Sequence, residues 1–133
     1  ANIKNNNLFL DKNGDFVKLT KWRDITVNED GRVTEIGFYG TLTEGTLDFE
    51  CIPSKARKVI VGDSDITGEV PWTRLPDGIE YLILYGSKFF GTVDLTVLPR
   101  DLIVLALETN NFSGTLDFSH LPKRLIGLDL QSN

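Results

Sequence analysis

A repeating interval of about 23 residues is the feature of this 133-residue chain that most constrains its fold. Four of its five prolines, four of its glycines and a set of three apolar positions all recur at that interval. The prolines are Pro53, Pro76, Pro99 and Pro122, and the glycines are Gly45, Gly68, Gly91 and Gly114. Two kinds of chain-redirecting residue that share one period with an apolar pattern indicate a repeat protein, whose units stack on their neighbours.

The apolar positions predict one half-buried strand in every repeat. Their order is apolar-x-x-apolar-x-apolar, and the alternation at its end is typical of a strand with one face in the core. The sets are Val33, Ile36 and Phe38; Ala56, Val59 and Val61; Ile79, Leu82 and Leu84; Leu102, Leu105 and Leu107; and Leu125, Leu128 and Leu130. We therefore predict about five parallel strands whose second and third apolar residues point inward.

Polar and apolar residues after each strand predict how one repeat leads to the next. One polar position recurs as Thr41, Ser64, Ser87, Asn110 and Asn133. A short hydroxyl or amide side chain there would bond backbone groups buried at the turn. A second apolar pair then fills the coil, after a glycine that permits a positive φ. These pairs are Leu47 with Phe49, Val70 with Trp72, Val93 with Leu95, and Leu116 with Phe118.

Two segments carry a family resemblance. Residues 110–133 (NNFSGTLDFSHLPKRLIGLDLQSN) resemble the leucine-rich repeats of plant receptor-kinase ectodomains and of short repeat proteins from unicellular eukaryotes. Residues 22–40 (WRDITVNEDGRVTEIGFYG) resemble the flank that precedes the first repeat in those proteins. The resemblance implies an α/β-class, strongly β-rich leucine-rich-repeat solenoid, a right-handed curved coil with a parallel concave sheet. Asparagine is the usual ladder residue of this family, so Thr41, Ser64 and Ser87 imply a weaker ladder in the first three coils.

The repeat register predicts an N-terminal cap at residues 1–32, followed by the repeats. The repeats span 33–55, 56–78, 79–101, 102–124 and a truncated fifth at 125–133. The cap would cover the apolar top of the first coil. Within the cap, residues 15–22 are compatible with a short helix or an extended arm, and residues 1–7 with a frayed end. Asp-Gly in NEDGR (28–32) predicts a hairpin turn with positive φ at both central residues.

The outward positions of the predicted strands form one continuous surface that includes all three tyrosines. Tyrosine is enriched at protein interfaces, so we expect this concave face to bind a protein partner. The alternative is that aromatic and β-branched residues simply suit a sheet surface. The predicted binding residues are Tyr39, Lys58, Ile60, Tyr81, Ile83, Tyr85, Val104 and Glu108.

A second interpretation makes the chain a structural segment of a larger surface protein. The chain stops after the fifth predicted strand, which predicts either a fragment of a longer protein or a homodimer that meets end to end. Leu125, Leu128 and Leu130 would supply that contact, because an open strand edge is a template for pairing with another chain.

Composition and motifs argue against other functional classes. A net charge of −5 disfavours nucleic-acid binding, and no apolar run reaches the length of a membrane span. A shallow sheet offers neither paired acids in a pocket nor an activated nucleophile, so we predict no enzyme, cofactor or metal. His120, the single histidine, lacks a serine or cysteine partner at a catalytic spacing.

Three minor features complete the expectations. Asp48, Asp94 and Asp117 recur on the convex side, where capping of a turn is favoured over calcium binding. Cys51, the single cysteine, is expected to be a buried structural thiol rather than a reactive one. Asn111 begins an N-glycosylation motif on a predicted exposed turn, which favours a secreted or cell-surface location.

Overall fold

The computed structural model describes residues 9–11, 13, 24–40 and 45–133, and these form two sheets around one apolar core. The larger sheet has the order β11-β9-β7-β5-β3-β2. Its strands are β2 (Asp24–Val27), β3 (Val33–Tyr39), β5 (Lys58–Gly62), β7 (Tyr81–Tyr85), β9 (Val104–Ala106) and β11 (Gly127–Asp129). The second sheet has the order β1-β4-β6-β8-β10. Its strands are β1 (Phe9–Asp11), β4 (Gly45–Leu47), β6 (Ile66–Glu69), β8 (Lys88–Thr92) and β10 (Asn111–Ser113).

Five strands of the larger sheet are parallel and paired one repeat apart, which confirms the predicted solenoid. Lys58 pairs with Glu35 on one side and with Tyr81 on the other, and Val104 pairs with Tyr81 and with Gly127. Each of these steps equals the interval between successive prolines in the sequence. Single turns of 3₁₀ helix follow the second-sheet strands, at Phe49–Cys51, Trp72–Arg74 and Leu95–Val97. The described residues contain no α-helix, so the fold is a β-solenoid consistent with a leucine-rich-repeat-like architecture.

The second sheet was not predicted from the sequence. Its strands are three to five residues long. Three of them bury one apolar side chain at the repeat interval, namely Ile66, Phe89 and Phe112. A single inward residue creates no alternation, and alternation is the pattern from which a strand is usually inferred.

The core follows the predicted inward positions closely. Phe38, Val61, Leu84 and Leu107 are fully buried, as are their neighbours two residues earlier. The second apolar pairs are buried in the first three coils, where Phe49 meets Phe89 edge-on with 5.9 Å between ring centroids. In the coil at residues 102–124, Leu116 is 38% exposed and Phe118 56% exposed.

A left-handed residue ends the strand segment of every coil, at a position that the sequence did not reveal. These residues are Gly40, Asp63, Gly86, Thr109 and Ser132, with φ between 45° and 60°. Glycine adopts this conformation freely, whereas a β-branched residue such as Thr109 is strained there. The left-handed conformation is present at Thr109 despite this strain. It turns the backbone so that the side chain of the next residue points into the coil.

The polar residues that follow the last four left-handed positions form the predicted polar ladder. Asn110 Nδ2 donates to the carbonyl oxygens of Leu84 at 2.6 Å and Leu107 at 3.1 Å, and its Oδ1 accepts from the Phe89 N–H at 3.1 Å. Asn133 makes the same contacts one coil later. The side chain thus joins its own turn to the previous strand and to the second sheet.

Serine supports the same turn with fewer hydrogen bonds, as the resemblance implied. Ser64 Oγ lies 3.1 Å from Ser87 Oγ, and Ser87 Oγ donates to the Tyr85 carbonyl at 3.1 Å. Thr41, the first member of the series, lies outside the described residues, as do the segments 1–7 and 15–22.

The hairpin predicted at residues 28–32 is present, but its turn differs from the expected one. Strands β2 and β3 pair antiparallel across it. Gly31 has a φ of 71°, while Asp30 is not in the left-handed region. Asn28 organises the turn instead, because its Oδ1 accepts from the N–H groups of Asp30 at 3.1 Å and Arg32 at 2.9 Å. The turn therefore has one residue with a positive φ, Gly31, and hydrogen bonds to the Asn28 side chain hold the rest of it.

No helix in the described part of the chain is long and apolar enough to cross a membrane.

Replacing Asn110 tests the ladder. Asn110→Ala leaves buried backbone groups of Leu84, Leu107 and Phe89 without partners, and we expect it to lower the free energy of unfolding by about 3 kcal/mol. Ser64→Ala is the matched control and should cost about 1 kcal/mol or less, because it removes one hydroxyl contact. Chemical denaturation followed by circular dichroism measures both. Equal losses in the two variants would contradict the ladder's role.

Candidate functional site

The face of the larger sheet that is turned away from the core, the outer face, consists of three rows of side chains. It is the face predicted as concave, and all eight predicted binding residues lie on it, half-buried. The first row is Glu35, Lys58, Tyr81, Val104 and Gly127, and the second is Gly37, Ile60, Ile83, Ala106 and Asp129. The third row is Tyr39, Gly62, Tyr85, Glu108 and Gln131. The repeat register alone brings these residues together.

An apolar strip crosses the middle of the outer face. Tyr81, Ile83 and Tyr85 alternate along β7, and Ile60 pairs directly with Ile83 from the neighbouring strand. Backbone ladders hold these side chains at fixed spacing, with directly opposed residues about 5 Å apart. The strip is therefore a rigid surface.

Gly37 leaves a shallow open depression of about 270 Å³ beside this strip. Its walls include Tyr39, Lys58 and Ile60. Strand β2 adds Thr26, whose Oγ1 donates to Glu35 Oε2 at 3.3 Å. The sequence prediction missed this extension of the face, although the alternation in DITV (24–27) before the Asp-Gly turn is a signal for it.

The ring of Tyr85 lies across Gly62. A β-carbon added to Gly62 would come within 2.2 Å of Tyr85 Cε1 and Cζ, so only glycine leaves room for the ring. Burial raises the pKa of Tyr85, and the charges of Asp63 and Glu108 and the nearby Tyr39 raise it further. Gly62 thus leaves the space on the sheet that the Tyr85 ring occupies.

Acidic groups surround Tyr85. The carboxylate of Asp63 lies over Gly86, where an added β-carbon would be 2.7 Å from Asp63 Oδ1. Glu108 Oε2 is buried and has no hydrogen-bond partner among the described residues. The third row and the left-handed position after it include no lysine or arginine. Among the described residues of this edge, the charged side chains are therefore all acidic.

The recurring aspartates on the other side of the coil are turn caps, as favoured from the sequence. Asp48, Asp94 and Asp117 each accept a backbone N–H two residues ahead, at 3.0, 3.0 and 2.8 Å. Hydrogen bonds from the Ser119 side chain and backbone lower the pKa of Asp117. The described residues contain no group of acids, histidines or cysteines arranged to hold a metal ion.

His120 has a hydroxyl partner that the sequence argument did not foresee. Ser119 Oγ lies 2.6 Å from His120 Nδ1, and both side chains are exposed. Asp117 accepts from Ser119 rather than from the imidazole, so it does not orient the histidine as a catalytic triad requires. The contact organises an exposed loop.

Cys51 is half-buried against the core, rather than fully buried as expected. Burial raises the pKa of its thiol, and a hydrogen bond to Asp48 at 3.3 Å raises it further. A higher pKa leaves less of the reactive thiolate at neutral pH.

Asn111 is exposed, but it lies in strand β10 rather than on the predicted turn. It occupies the edge of the second sheet.

The residues proposed for self-association lie in and beside strand β11. Leu125, Leu128 and Leu130 are half-buried and pack against the core. Ile126, beside them, is 85% exposed.

The fold is similar to that of a solved protein. The crystal structure of a pollen receptor kinase 3 matches with a TM-score of 0.65 and 22% sequence identity. The match covers 86% of this chain, which spans 58% of the other. At this identity the likeness shows the fold alone. No protein-family model matches the chain, and comparison with curated proteins gives no match.

A single methyl group at Gly62 should move the Tyr85 ring. Gly62→Ala requires no unusual backbone conformation, so we expect the ring to swing into solvent while the fold persists. The pKa of Tyr85 should then fall towards the ordinary tyrosine value of about 10. The measurement is the ultraviolet absorbance of ionised tyrosine as a function of pH, for the wild type and for Gly62→Ala. Subtracting the curve of the same protein with Tyr85→Phe leaves the titration of the Tyr85 phenol.

The sign of the accompanying stability change follows from linkage. A raised folded-state pKa stabilises the fold below the unfolded pKa, and this contribution is lost as the pH rises above about 10. In Gly62→Ala, the free energy of unfolding should therefore fall less between neutral pH and pH values above about 10. An unchanged Tyr85 pKa in Gly62→Ala would contradict the inferred packing.

Proposed function

We propose that this chain is a protein-interaction module of the leucine-rich-repeat type, which binds a protein partner through its outer face. The observation that carries the proposal is the apolar strip of Tyr81, Ile83, Tyr85 and Ile60 at the centre of the sheet. Tyrosine combines a large contact area with a hydrogen-bonding group and few rotatable bonds. Interfaces concentrate their binding energy in such central aromatic groups.

The rigidity of the outer face supports the same function. Every residue in the strip belongs to a strand that is paired on both sides. Association costs free energy when flexible side chains and loops become ordered. A face that backbone hydrogen bonds already hold in place pays less of this cost when it binds a partner. The likeness to a receptor kinase structure agrees with an interaction role for the fold.

Binding is favoured over catalysis by the chemistry of this surface. The three rows contain no histidine, cysteine or serine, which are common nucleophiles and bases. The depression at Gly37 is open and polar, unlike the enclosed pockets that exclude water from a reaction.

The alternative role is a structural segment that associates with a second copy through Leu125, Leu128 and Leu130. The observation that suggests it is that these three apolar side chains, at the repeat interval from the buried strand residues, are only partly buried. A concentration-dependent dimer in analytical ultracentrifugation would favour this role, whereas a monomer over the same range would dispose of it.

Partner capture tests the outer face directly. Immobilised chain is exposed to an extract of the organism that makes it, beside a Tyr81→Ser/Ile83→Ser variant. We expect the variant to lose the partner, because its changes remove the centre of the strip and touch no fully buried side chain. Circular dichroism should show an unchanged fold.

The control for that capture is Phe90→Ser. Phe90 is a large aromatic residue, 42% exposed, on the second sheet. The Phe90→Ser variant should retain the partner, because the substituted side chain lies outside the outer face. Equal retention by the wild type and the Tyr81→Ser/Ile83→Ser variant would overturn the proposal, as would loss in the Phe90→Ser variant alone.

A further inference from the structure

Strand β10 consists of the motif Asn111-Phe112-Ser113, and it places these three side chains on two different faces. Asn111 and Ser113 are exposed, whereas Phe112 is 7% exposed and belongs to the core. Successive side chains of a strand point to opposite faces, so the amide of Asn111 and the hydroxyl of Ser113 project from the same outward face of the second sheet. An asparagine followed two residues later by serine or threonine is the acceptor motif for N-linked glycans. Both groups of this motif are therefore accessible in the folded chain.

The two adjacent asparagines at this point of the chain have opposite environments. Asn110 is buried, and the ladder uses its amide for hydrogen bonds to the backbone. Asn111 faces solvent, and it begins the one Asn-x-Ser/Thr triplet in the sequence. A sugar on Asn111 can therefore be accommodated without a change in the core or in the ladder.

A large aromatic side chain lies beside Asn111. Phe90 of strand β8 pairs directly with Asn111 in the parallel register, so the two side chains leave the same face of the sheet about 5 Å apart. Phe90 is 42% exposed. Its partner on the other side is Glu69, which is also exposed. Covering an exposed apolar surface of this kind is favourable, because it removes that surface from water.

The first sugar of an N-linked glycan suits that surface. The pyranose ring of N-acetylglucosamine carries its hydroxyl groups at the rim and C–H groups on its two faces. These C–H groups are weakly positive, and they pack favourably against the electron-rich face of an aromatic ring. Because the first sugar is bonded to the asparagine amide itself, it reaches only the residues next to the acceptor. Phe90 is such a residue.

From this juxtaposition we propose that Asn111 accepts an N-linked glycan whose first N-acetylglucosamine packs on Phe90. In the transfer, Asn111 Nδ2 forms a bond to C1 of the sugar of a polyprenyl-diphosphate oligosaccharide, and the bond from C1 to the diphosphate breaks. The diphosphate leaves with the electron pair, Nδ2 loses one proton to a base of the transferase, and nothing is oxidised or reduced. The inference goes beyond the proposed function, because Asn111 and Phe90 belong to the second sheet and not to the outer face.

Peptide mapping tests the acceptor on the protein from the organism that makes it. Trypsin cuts after Arg100 and Lys123, so one peptide contains both Asn110 and Asn111. Peptide N-glycosidase releases an N-linked glycan and converts its asparagine to aspartate, which takes up heavy oxygen when the reaction runs in labelled water. We expect the label at Asn111 and not at Asn110. An unlabelled Asn111, or equal label at both asparagines, would overturn the inference.

Variants of Ser113 separate the motif from exposure alone. Each variant is secreted from cultured eukaryotic cells, and its intact mass is compared before and after treatment with the glycosidase. Ser113→Ala should lose the glycan, whereas Ser113→Thr should keep it because the hydroxyl remains. Ser54→Ala is the matched control, since it removes an exposed serine hydroxyl outside the motif. A glycan that persists in Ser113→Ala, or that is lost in Ser54→Ala, would contradict the assignment.

The contact with Phe90 is tested by thermal unfolding. An endoglycosidase trims the glycan to its first sugar, and the melting temperature of this form is compared with that of unglycosylated Asn111→Gln in the same background. We expect the sugar to raise the melting temperature on the order of 3 °C in the wild type and in Phe90→Tyr, which keeps an aromatic ring. In Phe90→Ser the increase should vanish. An equal increase in all three backgrounds would overturn the packing on Phe90.

Discussion

The hydrogen bonds that close each coil are the interaction on which the rest of this structure depends. At the end of each repeat the chain must reach the position from which the next strand can begin beside the previous one. Otherwise the two strands cannot pair in register. The left-handed residue at the strand end turns the chain, and the following polar side chain fixes the turn. Asn110 performs the second task with bonds to Leu84, Leu107 and Phe89, which belong to two coils and both sheets. Loss of these bonds leaves buried backbone groups unpaired, which is costly.

The outer face is a consequence of that closure. The strand register is the same from coil to coil, so equivalent side chains lie side by side. The backbone pairing alone therefore forms each row, without contacts between its side chains. Within the rows, small residues shape the surface. Gly37 lines a depression, and Gly62 leaves room for the Tyr85 ring. The core supplies stability, and the outward positions remain available for recognition.

The repeat architecture, the register of the larger sheet and the membership of the outer face were all predictable from the sequence. Those features depend on periodic apolar positions, and Leu82, Leu84 and their equivalents display the period clearly. The second sheet was not predictable in this way, because its strands β6, β8 and β10 each bury one apolar side chain, such as Phe89. The partnership of Gly62 with Tyr85 was also hidden, since it joins residues one repeat apart through a ring orientation that no linear pattern records. The unpaired oxygen of Glu108 depends on side-chain packing in the same way.

Site-specific photo-crosslinking is the most direct test of the claim that the outer face binds a partner. A photoreactive phenylalanine derivative replaces Tyr81 in one protein and Phe90 in another, and each is irradiated in the same extract. The account predicts one covalent partner from position 81, at the centre of the outer face, and none from position 90 on the second sheet. A partner crosslinked from position 90 alone, or equally from both, would contradict it.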